Sequence, residues 1–225
     1  MQIARSISEF NQIRHKVTGS IGFIPTMGAL HKGHLSLVEK SNDKCDYTIV
    51  SIFVNPKQFS PDEDFDNYPR TIDGDINQLK LLNVDLLFIP SSIEIYNNDY
   101  NEIKYTHNMF NILEGITRPH FFKGVCNVVS RFFDIVTPTD AFFGEKDFQQ
   151  LRIIEDMTQN LNYNINIIPC KIIREKNGLA MSSRNEYLTL DSKNKAKIIF
   201  ETLKLGLKLI NDGEKNVSNL YSQLN

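Results

Sequence analysis

At 225 residues the chain is long enough to bury one sizeable core and leave a smaller piece over. Hydrophobic residues at 41% and charged residues at 23% exclude a disordered chain, while a net charge of −2 and a pI near 6.2 give no electrostatic case for nucleic acid or an anionic membrane. Cys45, Cys126 and Cys170 are widely separated without metal-ligand spacing, which fits a reducing compartment better than a disulfide framework. The opening stretch MQIARSISEFNQIRHK has no apolar run of signal-peptide length and no later segment approaches a membrane span, so a soluble cytoplasmic protein is expected.

In chain order, Ile7, Phe10, Ile13 and Val17 predict an amphipathic helix over residues 5–17. Ile21, Phe23 and Ile24 are strand material, and Pro25 is expected to end the ladder because it has no N–H. A glycine-bearing turn follows, and Leu35, Leu37 and Val38 begin a helix after His34. YTIVSIFV, Tyr47–Val54, predicts a second strand closed by Pro56. Ile72, Ile76, Leu79 and Leu82 give a helix face after Thr71, with Asp73 and Asp75 in its first turn, where the dipole favours acids. DLLFI, Asp85–Ile89, is apolar enough for a strand buried on both faces. Residues 91–110 are polar and rich in Asn and Tyr, with little periodic signal.

A clean helical stripe then runs through Val125, Val128, Val129, Phe132, Phe133 and Val136 to Pro138. Ala141–Phe143 predicts a short strand, Leu151, Ile154 and Leu161 a helix, and Asn166–Lys171 a fifth strand whose Pro169 suggests an edge. Strands alternating with helices imply an α/β fold with a doubly wound parallel sheet. After Met181–Arg184 the pattern turns helical, with a face at Ile199, Leu203, Leu207 and Ile210 and another from Val217. The expected division is a larger domain over residues 1–174 and a small helical piece over 175–225.

In such a sheet ligands bind beyond the carboxyl ends of the strands, and the unusual stretches lie there. The first is Ile21–His34, IGFIPTMGALHKGH, where His31 and His34 flank a helix start as movable donors; free N–H groups at that place favour phosphate. A histidine pair three residues apart is often a coincidence, but the preceding strand and the glycines give it a site-like setting. After the second strand, FVNPKQF offers the Asn55 and Gln58 amides between apolar rings, suited to a small polar acid; a proline-stiffened loop explains it equally well. In Gly144-Glu145-Lys146-Asp147, Lys146 is a point charge for phosphate and Asp147 either binds ribose or caps a helix, having capping-box spacing to Gln150. In Met181-Ser182-Ser183-Arg184, two hydroxyls and a guanidinium can grip a triphosphate, although such a run taken alone is usually a turn.

PTMGALHKGH, FVNPKQF, YPRT, LEGITRPHFFKGV, FFGEKDFQQL and GLAMSSRN stand in the order and approximate spacing of the pantothenate synthetase family, within the nucleotidylyltransferase-like H-x-G-H superfamily. The resemblance runs from about residue 20 to 190. It implies a Rossmann-like nucleotidylyltransferase fold and an ATP-dependent ligase that makes pantoyl adenylate and then pantothenate. By motif, Met27, Gly28, Ala29, Leu30, His31, Lys32, Gly33 and His34 would line the ATP site. Gly144, Glu145, Lys146, Asp147, Ile173, Met181, Ser182, Ser183 and Arg184 would complete it. His34, His31, Lys146 and Arg184 would serve catalysis, and Gln58 and Gln150 would hold pantoate, with Gln58 also near β-alanine. The resemblance also implies Mg²⁺ with ATP, a homodimer, the substrates pantoate and β-alanine, and neither nucleic acid nor membrane as partner. Asp75 is a weak metal candidate; the metal ligands are otherwise unassigned.

Two departures stand out. Where similar proteins read R-P-G-H-F or R-P-T-H-F, this chain has Arg118-Pro119-His120-Phe121-Phe122, with Phe121 in the histidine's place. Similar proteins also continue for several tens of residues, so the small domain is expected to be truncated. A nucleotidylyltransferase acting on a phosphorylated acceptor and a nucleotide-binding module without turnover remain the alternatives.

Overall fold

The computed structural model describes residues 1–224. Short apolar runs form β1 (Gln2–Ala4), β2 (Ile21–Thr26), β3 (Tyr47–Ile52), β4 (Leu86–Phe88), β5 (Asp140–Gly144) and β6 (Asn166–Cys170). They make one parallel sheet in the order β1-β4-β3-β2-β5-β6. The connecting helices are α1 (Ile7–Arg14), α2 (Lys32–Lys44), α3 (Ile72–Leu81), the single turns α4 (Ser92–Ile95) and α5 (Glu114–Thr117), α6 (Phe121–Val136) and α7 (Phe148–Asn160). The chain divides into two compact units, Met1–Ile172 and Ile173–Asn225; the second carries α8 (Leu190–Asn211) and α9 (Val217–Leu224).

The inner strands β2, β3, β4 and β5 are buried on both faces, so alternate residues enter different cores. Phe23, Ile49, Leu86 and Phe88 pack with Phe10 of α1, Phe132 of α6 and Leu151 of α7. Ile24, Val50, Leu87 and Phe142 pack on the opposite face with Leu37 and Val38 of α2 and Leu79 of α3. Helices thus cover both faces, as a doubly wound sheet requires. From β2 the chain proceeds outward through β3 to β4 on one side and continues through β5 to β6 on the other. The gap between β2 and β5 is therefore the topological switch point, the place where such sheets hold ligands.

Two strand expectations need correction. The sheet has a sixth strand, β1, whose three residues are too few to carry a period; it pairs with β4 from Gln2↔Leu86 to Ala4↔Phe88. Pro25 does not end β2. It pairs in register with Ser51 of β3 and the strand runs on to Thr26, whereas pairing with β5 covers only Gly22 and Phe23. Its missing donor therefore falls where the β5 ladder has already stopped. Pro169 does lie on an edge strand, β6.

Close approach at one glycine positions the turn after β3. A Cβ on Gly124 of α6 would stand 2.2 Å from the Lys57 carbonyl oxygen, so the helix seats directly on the backbone of residues 57–58. Backbone cannot yield as a flexible side chain can. Gly124→Ala is expected to cost about 1–3 kcal/mol by overpacking, read as a lower urea midpoint with an unchanged m-value.

Candidate active site

The turn after β2 is pinned at three successive N–H groups. Thr26 Oγ1 accepts from the Gly28 N–H at 3.2 Å, and the Asp75 carboxylate accepts from the Ala29 and Leu30 N–H groups at 2.9 and 2.8 Å. Asp75 is only 1% exposed and also accepts from the Thr71 hydroxyl at 3.1 Å. Gly28 and Ala29 both have positive φ, +81° and +50°, so the turn uses left-handed backbone that its hydrogen bonds must hold in place. Asp75 is thus occupied as an anchor for this turn. No group of three His, Cys, Asp or Glu suited to a metal occurs among the described residues.

The two histidines are fixed at the start of α2, where the sequence suggested mobility. His31 is the N-cap, its Nδ1 accepting from the Gly33 N–H at 3.1 Å, and His34 Nδ1 accepts in turn from the His31 N–H at 3.4 Å. The rings stack with centroids 4.0 Å apart. With both Nδ1 atoms accepting, each neutral ring carries its proton on Nε2. Burial, then the neighbouring His31 and Lys146, pulls His34 down to about 3. Burial and Lys146 lower His31 as well, against a backbone hydrogen bond and Asp147, which raise it. Both are therefore neutral N–H donors at working pH, and the local positive charge belongs to Lys146.

Lys146 follows β5, across the switch point. Gly144 has open space where a Cβ would project, its nearest neighbour being the Lys146 nitrogen at 4.0 Å, so backbone is accessible there to a ligand. Glu145 is half-buried beside it. The capping-box spacing of Asp147 and Gln150 is not used: Asp147 is the N-cap of α7 but makes no side-chain cap, and it pairs instead with Lys146 at 3.0 Å. Gln150 is half-buried, and its amide makes no hydrogen bond among the described residues. Its neighbour Gln149 donates to the Met109 and Ile112 carbonyls, a structural role.

Beyond β3, Asn55 and Gln58 are both buried. Asn55 Oδ1 accepts from the Lys57 N–H at 3.1 Å and from the Tyr96 hydroxyl at 2.5 Å; its Nδ2 donates to Gln58 Oε1 at 3.1 Å and to the Gly124 carbonyl at 3.2 Å. Asn55 has no capacity left for a ligand. Gln58 turns its Nε2 toward the Met27 sulfur at 3.3 Å. Sequence reasoning missed Tyr96 because nothing periodic marks its segment.

At the departure near residue 118, Arg118 bonds Glu63 at 2.6 Å, Glu114 at 3.0 Å and the Gln58 carbonyl at 3.3 Å, with Phe121 stacked beneath it at 3.8 Å. Phe121 thus completes a guanidinium shelf, while His120 is exposed and caps nothing. In the second unit, taken by itself, the Met181 N–H donates to the Ile173 carbonyl at 3.0 Å. Ser182 accepts from the Arg184 N–H at 3.3 Å to open a 3₁₀ turn, where Ser183 is buried and Arg184 exposed.

A doubly wound parallel sheet, with a histidine-capped helix start and a lysine on neighbouring strand ends, defines a Rossmann-like nucleotide-binding protein. The pantoate–β-alanine ligase family model matches residues 2–224, and the chain belongs to that family. It is 46% identical over 223 residues to the pantothenate synthetase of Caldicellulosiruptor saccharolyticus, spanning 98% of this chain and 79% of the relative. It is 45% identical over 224 residues to that of Campylobacter fetus, spanning 100% and 82%. Among solved structures it is similar to pantothenate synthetase from Thermus thermophilus, with TM-score 0.92, 36% identity and 98% and 79% of the two chains covered. It is also similar to pantoate–β-alanine ligase from Francisella tularensis complexed with β,γ-ATP and β-alanine, with TM-score 0.87, 38% identity and 100% and 85% covered.

Two outcomes test the electrostatics and anchoring of this site. Asp75→Asn replaces one acceptor by a donor facing a buried N–H, and an unsatisfied group of that kind costs about 1–3 kcal/mol; a lower melting temperature is expected. His34 is depressed in the folded state relative to its ordinary 6.5, so its contribution is complete above that pH and is lost as pH falls toward about 3. Chemical denaturation between pH 7 and pH 4 should show a shallower acid loss for His34→Gln than for the unaltered protein.

Proposed function

We propose that this chain condenses (R)-pantoate with β-alanine at the expense of ATP, forming pantothenate, a precursor of coenzyme A, and releasing AMP and pyrophosphate. The observation that carries the reading is the pair of capped, neutral histidines beside Lys146 at the switch point, in a chain that belongs to the pantoate–β-alanine ligase family. A pantoate carboxylate oxygen attacks the α-phosphorus of ATP and the bond to pyrophosphate breaks. The β-alanine nitrogen then attacks the acyl carbon, the bond to AMP breaks, and the nitrogen gives up a proton.

Each residue has a physical task in this scheme. His31 and His34 offer Nε2–H donors to phosphoryl oxygens, and Lys146 supplies charge against the departing pyrophosphate. The family resemblance gives nucleotide contacts to Met27–His34 and Gly144–Asp147 in the first unit and, in the second unit taken by itself, to Ile173 and Met181–Arg184, where Arg184 is a further cation suited to phosphate. Gln58 and Gln150 hold pantoate by neutral donors. Amide formation is then chiefly a matter of alignment. Mg²⁺ would accompany ATP, neutralising charge on its phosphates. No helix among the described residues is long and apolar enough to cross a membrane. A cytoplasmic homodimer acting on these small molecules completes the proposal.

The test is pantoate-dependent exchange of labelled pyrophosphate into ATP without β-alanine. Exchange is expected, and a protein that exchanges regardless of pantoate, or not at all, is not this ligase. His34→Ala should lose about 10²–10³ in exchange rate, the usual cost of one preorganised donor. Because His34 also caps α2, about 1 kcal/mol of stability should go with it.

A further inference from the structure

We propose that Tyr96 is a positioning residue for the acid subsite: its hydroxyl holds the already oriented Asn55 amide in place and, through Asn55, steadies the Gln58 carboxamide with an Nε2–H available to substrate. The inference deepens the assignment of Gln58 to pantoate and rests on it.

The argument is one of donor and acceptor identity. The Gly124 carbonyl only accepts and the Lys57 N–H only donates, so the Asn55 amide has one allowed orientation, with Nδ2 toward Gly124 and Oδ1 toward Lys57. The Tyr96 hydroxyl at 2.5 Å fills the second lone pair of that oxygen, and the remaining Nδ2 proton goes to Gln58. The Gln58 atom receiving it must therefore be Oε1, which turns Nε2 away, toward Met27. With one Nε2 proton directed at the Met27 sulfur, the other N–H, with no competing oxygen beside it, suits a carboxylate or a hydroxyl acceptor.

Tyr96 is itself held firmly. The Lys57 ammonium lies 4.5 Å from its ring and 4.6 Å from that of Tyr100, and pairs with Glu102 at 3.1 Å. Tyr100 stacks edge-on against Tyr96 at 4.9 Å and donates to Asn127 of α6 at 2.8 Å. The unpatterned segment after β4 is thereby tied both to α6 and to the turn after β3. Burial lifts the Tyr96 phenol well above its ordinary range, so it remains a donor at any working pH.

The experiment measures kinetic constants for the unaltered protein, Tyr96→Phe, Gln58→Ala and the double variant. Tyr96→Phe should raise KM for pantoate about five- to tenfold, the scale of one hydrogen bond, with KM for ATP nearly unchanged and a melting temperature lowered only by the loss of that one bond. In the Gln58→Ala background the same change should have no further effect on pantoate KM. An unchanged pantoate KM, an effect that persists without Gln58, or an equal rise in both KM values with a lower melting temperature overturns the proposal. Absence of pantoate-dependent exchange in the unaltered protein would instead sink the assignment of the subsite itself.

Discussion

The Asp75 carboxylate is the constraint on which the site depends. It lies in the first turn of α3, yet its oxygens hold the Ala29 and Leu30 N–H groups of the turn after β2. A buried anion is costly unless hydrogen bonds satisfy it, and here the donors are backbone groups in a left-handed turn that needs restraint. The two requirements meet in one interaction. It determines where β2 releases the chain and hence where His31 and His34 emerge.

From that point the chemistry follows from saturation. Each histidine spends Nδ1 on a backbone N–H and keeps Nε2–H for a ligand. Burial and Lys146 keep His34 neutral, so donation and charge are carried by different side chains. In the proposed chemistry this separation would have an advantage: neutral donors would hold phosphoryl oxygens without adding charge repulsion to the lysine. The same logic runs through the turn after β3, where Asn55 uses every bonding position on its neighbours and the buried Gln58 turns its Nε2 toward Met27.

The change at residue 121 illustrates how a motif departure acquires meaning from its contacts. Phe121 lies under the Arg118 guanidinium, whose partners are Glu63, Glu114 and the Gln58 carbonyl. An aromatic face opposite a paired guanidinium stabilises a shelf against the backbone of Gln58. His120, the nearby imidazole, is exposed and takes no part in it.

Much of this protein was legible from its residues because the relevant information is local. The continuous apolar run in DLLFI and the helical stripe from Val125 to Val136 specify a buried strand and an apolar helix through neighbouring side chains alone. The H-x-G-H spacing likewise records a helix start with its own donors. Tertiary structure decided what depends on distant partners. β1 is a strand only because β4 offers a parallel edge, and Pro25 stays in β2 because the β5 ladder stops short of it. Asp75 became an anchor because residues 29 and 30 lie against it. Asp147 forgoes a cap that its spacing allows because Lys146 competes for the carboxylate. Tyr96 acquired a role through a hydrogen bond spanning 41 positions. Local propensity is written in adjacent residues, whereas the satisfaction of a buried polar group depends on which remote atom the fold brings to it.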